Sequence, residues 1–70
     1  LSPAELAGDL AAAGRPDEAA AAATHVLELL GPVNSTRIRG MLGVTAQRLA
    51  PHRRDPAVAK LLPHFPAPRA

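Results

Sequence analysis

Apolar residues recur along this chain in four stretches, each with helical spacing. In the first, Leu6, Ala7, Leu10 and Ala13 stand at i, i+1, i+4 and i+7, with Glu5, Asp9 and Ala12 off that stripe, which predicts an amphipathic helix. Ser2, Pro3 and Glu5 read as the N-cap, first residue and N3 of a capping box, and Gly14 ends the helix. After the turn from Gly14 to Glu18, a second stripe of Ala19, Ala23, Val26 and Leu30 is widened by Ala22, Leu27 and Leu29. Asp17, Ala21, Thr24 and Glu28 are left facing outward, and Gly31-Pro32 closes the helix.

The third stretch is the clearest. Ile38, Met41, Leu42, Thr45 and Leu49 recur at i, i+3, i+4, i+7 and i+11, with Asn34 or Ser35 as N-cap and Pro51 as the stop. Gly40, Gly43 and Ala46 form a second, smooth face, whose helix-propensity cost predicts a close packing contact. Asp55-Pro56 is a further cap and first-residue pair, opening a short helix through Ala57, Val58, Leu61 and Leu62. Pro63, Pro66 and Pro68 then forbid continuation, so residues 63–70 read as an extended or disordered tail behind a helical segment spanning 1–62.

These elements define an all-α chain: an antiparallel helical hairpin, a third helix on its open side and a short capping helix. A hairpin with Gly at its first C-terminus, Pro at the next N-terminus and Gly-Pro at its close is how helical repeats are built. It points to a binding scaffold rather than an enzyme.

Composition sharpens that picture. Sixteen alanines, eight prolines and the single aromatic Phe65 give a core of small and medium aliphatics, thin enough that neighbouring units or self-association are expected to complete it. The first residue is Leu, and the chain reads as a piece of a longer polypeptide. Cysteine is absent, no stretch is long and apolar enough to span a bilayer, and no secretory leader is recognisable. The expectation is a cytoplasmic setting with no membrane association.

The net charge of +2 conceals a division along the chain. Five carboxylates (Glu5, Asp9, Asp17, Glu18 and Glu28) against Arg15 give residues 1–34 a net −4. Seven Arg and Lys against Asp55 give residues 35–70 a net +6, so the halves attract each other, or the basic half attracts an acidic partner.

Ala7, Gly14, Ala19 and Val26, followed by Gly31-Pro32, resemble the small-residue pattern of a tetratricopeptide repeat, with Leu6 and Leu10 at its helix A leucine and aromatic positions. Pro3 and Ala23 stand where that family has aromatics. Over residues 1–62, the runs Ala-Gly-Arg-Pro-Asp-Glu-Ala, Val-Leu-Glu-Leu-Leu, Asn-Ser-Thr-Arg-Ile-Arg and Ala-Gln-Arg-Leu-Ala-Pro-His-Arg are similar to the C-terminal end of bacterial helix-turn-helix regulators of the Xre type. The resemblance implies a non-catalytic interaction or sensor segment closing an array of repeats, with DNA contacted only through a parent domain not present here. It implies protein or peptide partners, among them neighbouring repeats of the same chain or a second copy. The alternative is a self-assembling or protein-docking module whose basic half binds an acidic partner.

Candidate chemistry is sparse. His25 and Glu28 share a helix face, but His52 and His64 do not supply the remaining ligands at a metal-binding spacing. No nucleophile is paired with a base, so no catalytic residue, metal or cofactor is expected. Asn34-Ser35-Thr36 matches a glycosylation sequon yet is explained by capping, and Gly40-x-x-Gly43 lacks the lysine of a phosphate loop. Arg37, Arg39 and Arg48 remain as candidate partner-binding residues, and Ala7, Ala19, Val26, Gly40 and Gly43 as helix-packing positions.

Overall fold

Four helices form where the apolar periodicity predicts them: α1 (Pro3–Ala12), α2 (Pro16–Leu30), α3 (Thr36–Leu49) and α4 (Pro56–Leu61). The computed structural model describes residues 2–31 and 36–65, and no strand occurs among them. Pro32, the expected N-caps Asn34 and Ser35, and residues 66–70 lie outside the described residues.

Local chemistry accounts for the helix ends. The Glu5 N–H donates to Ser2 Oγ (3.2 Å) at the start of α1, and the Ala57 N–H donates to Asp55 Oδ1 (2.9 Å) at the start of α4; each satisfies a backbone donor that the helix cannot. Between α1 and α2, Gly14 takes φ +77°. There the Gly14 N–H donates to Ala11 O (3.2 Å) and the Arg15 N–H to Leu10 O (3.0 Å), the two bonds of a Schellman turn. Pro16 then starts α2 immediately, so the helices fold back on each other with almost no loop.

The resulting hairpin is covered on one side. α3 lies against α1, and to a lesser extent α2, while α4 lies against α2. On the two hairpin helices the buried residues are Ala4, Ala7, Ala19, Ala20, Ala23 and Val26; alanine lets helix axes approach closely. The covering helices supply the volume instead: Leu42, Leu49, Val58 and Leu61 are the largest fully buried side chains. Thr45 is buried among them, its hydroxyl donating back to Met41 O (3.3 Å). The Cα radius of gyration of 11.0 Å matches the roughly 11 Å expected of a compact chain of this length, so the small side chains are accommodated by close approach and not by a loose interior.

Three expectations are corrected. The inner stripe of α1 runs through Ala4, Ala7 and Ala11, leaving Leu6 and Ala13 exposed. On α2, Leu29 is likewise exposed, because α3 and α4 occupy only one side of the hairpin. The third correction concerns the tail. Pro63 does not end the ordered chain: residues Leu62–His64 form a 3-10 turn, which tolerates proline in its first positions, and Phe65 packs against the core.

Candidate functional site

Two surfaces deserve a functional reading because each combines exposed side chains with a rigid helical support. The first is the open face of the hairpin. Leu6 is 42% and Leu29 is 67% exposed, and half-buried Leu10 and Ala22 lie at helical spacing beside them. Helix phase places these residues on the side of α1 and α2 turned away from α3 and α4. An apolar strip of this kind, with Glu18 and His25 at its edge, is a surface for another apolar element.

The second surface is the outer face of α3. Arg37 and Arg48 are eleven residues apart, three helical turns, which puts both on one face about 16 Å from each other. Between them lie Gly40 and Val44, the latter 52% exposed. A Cβ built at Gly40 meets nothing within 4 Å, so this glycine is not the packing residue expected from the small-residue face. Gly43 lies beside Phe65, where an added Cβ would sit 3.6 Å from the ring, at ordinary van der Waals distance. Ala46 is buried, and Ala7, Ala19 and Val26 are all in the core.

Arg39 is separated from the other two arginines. Its guanidinium lies 5.2 Å from the centroid of the Phe65 ring, within cation–π range, and its Nη2 donates to the His64 carbonyl (3.5 Å). It therefore holds the 3-10 turn after α4 against α3, and only Arg37 and Arg48 of the predicted trio face outward together.

A shallow groove of about 320 Å³ runs between α2 and α4, lined by Ala21, Thr24, Pro56, Ala57 and Lys60. It is largely apolar and open to solvent. Sequence periodicity places Ala21 and Thr24 on the outer side of α2, but nothing in it indicates that α4 settles beside them to form a wall.

Among the described residues, no group of three or more His, Asp or Glu side chains converges as a metal site. His25 and Glu28 are both exposed on α2. Among the described residues Arg15 and Glu18 form an ion pair at 3.7 Å with both side chains more than half exposed, an arrangement that contributes little to stability. No helix of the described residues is long and apolar enough to cross a membrane. Set beside known proteins, the chain matches no protein-family model, no curated protein and no solved structure.

Proposed function

We propose that this chain is a non-catalytic, tetratricopeptide-like interaction segment that closes the C-terminal end of a helical-repeat array in a cytoplasmic transcriptional regulator. The observation that carries the reading is the asymmetry of the hairpin: one side is covered by α3 and α4, while the other presents Leu6 and Leu29 to solvent. A terminal unit has this form, because stacked repeats bury each face against a neighbour and the last one needs a substitute on its outer side. The small-residue pattern of the hairpin and the Asn-Ser-Thr-Arg-Ile-Arg run support the assignment to a regulator.

In this reading a preceding hairpin occupies the Leu6 and Leu29 face, and a peptide or small signal bound by the array shifts its curvature by binding one of two states more tightly. The residues encoded upstream of Leu1 test it. Further hairpins of about 34 residues with a helix-turn-helix domain beyond them are expected; an upstream region with neither overturns the proposal.

A further inference from the structure

The outer face of α3 has a charge and shape counterpart on α2 of the same protein. On α3 the order is Arg37, then Val44 seven residues on, then Arg48 four residues further. On α2 it is Asp17, then Ala21 four residues on, then Glu28 seven residues further. Laid antiparallel, the two faces therefore match at three points: Arg37 meets Glu28, Val44 meets Ala21, and Arg48 meets Asp17. All four charged residues are exposed, and none has an ion-pair partner among the described residues. Ala21 lines the groove between α2 and α4, so the half-exposed Val44 falls at its mouth. Gly40, with open space around its Cα, falls opposite His25 and leaves room for the imidazole.

Each face points away from the shared core, so the pairing cannot form within one molecule. We propose that a second copy of this chain docks its α3 face antiparallel across α2, with Val44 in the α2–α4 groove and two arginine–carboxylate pairs flanking it. The occupant is fixed by the complementarity of sign and spacing. Because the two faces differ, the contact is heterologous, and each copy retains a free face of each kind for a further copy. Exposed ion pairs are individually weak, so the association is a low-affinity one, strengthened at low salt. Lys60 on the α4 wall of the groove bears the same sign as the arginines and opposes the contact. The inference is independent of the repeat-array reading, which concerns the Leu6 and Leu29 face.

Sedimentation and light scattering of the 70-residue chain test it. At about 0.02 M salt the average mass is expected to rise with concentration from the 7.2 kDa monomer past the dimer, and to return to monomer at about 0.5 M. The double reversals R37E/R48E and D17K/E28K each weaken assembly about tenfold or more, with helical circular dichroism confirming the fold. Mixed in equal amounts, the two reversed chains restore it, since each now offers what the other lacks. K60E shifts the onset to lower concentration. A chain that stays monomeric at low salt, assembly that survives either reversal, or a mixture that fails to associate overturns the proposal. Assembly abolished by Leu29→Asp but not by the reversals also overturns it, and assigns the contact to the open hairpin face instead.

Discussion

The hairpin and the two helices that cover it are built on opposite economies of side-chain size. The buried residues of α1 and α2 are alanines and Val26, whereas α3 and α4 supply the fully buried Leu42, Leu49, Val58 and Leu61. Alanine has the highest helix propensity and loses no side-chain entropy on burial, so the hairpin is locally well specified. It gains little transfer free energy from its own contact. The covering helices have the reverse balance: α3 contains two glycines and several β-branched residues, and α4 has only six residues, but their leucines and valine bury the most apolar surface. The hairpin supplies a shape, and the cover supplies the cohesion that holds it.

This contrast breaks most visibly in the cover. Leu42→Ala, which leaves a void at a fully buried position, is expected to destabilise the protein by about 2–5 kcal/mol in urea unfolding. If the loss is under about 1 kcal/mol, the cohesion does not reside there. In the hairpin the damage comes from adding volume: Ala19→Leu, at a position with no exposed surface, should cost about 1–3 kcal/mol, and no loss of stability places Ala19 outside the helix crossing. At the junction of the cover, Asp55→Ala removes the 2.9 Å cap of α4 and is expected to cost about 1 kcal/mol, with Asp55→Asn retaining most of the cap. The smallest effect has the opposite sign. Gly40→Ala, in open space on a helical backbone, should stabilise by about 0.5–1 kcal/mol, and a melting temperature that falls refutes its exposed setting.

Helix positions, caps and stops were readable because each is set by neighbouring residues. Ser2 and Asp55 accept their predicted amide hydrogens, and Gly14 takes its left-handed conformation. Which alanine faces inward was less readable, because in a run such as residues 19–23 every position has the same hydropathy and the tertiary contact makes the choice. Hydrophobicity assigns Leu6 and Leu29 to inner stripes, yet they sit exposed where the hairpin has no described neighbour. Among the arginines, spacing alone groups Arg37 with Arg48, but nothing in the sequence indicates that Phe65 returns to engage Arg39. That contact joins residues 26 positions apart and depends on how α4 lies on α2.

Phe65 also has an experimental consequence. It is the chain's one aromatic residue, so the protein has neither tryptophan nor tyrosine emission with which to follow unfolding. Its ring rests against Gly43 and beneath the Arg39 guanidinium, where it experiences an environment unlike that of water. A fluorinated phenylalanine incorporated there gives a single resonance for the whole molecule, and its chemical shift reports whether the turn after α4 is seated on α3. Release of that turn can then be timed separately from loss of the helical core.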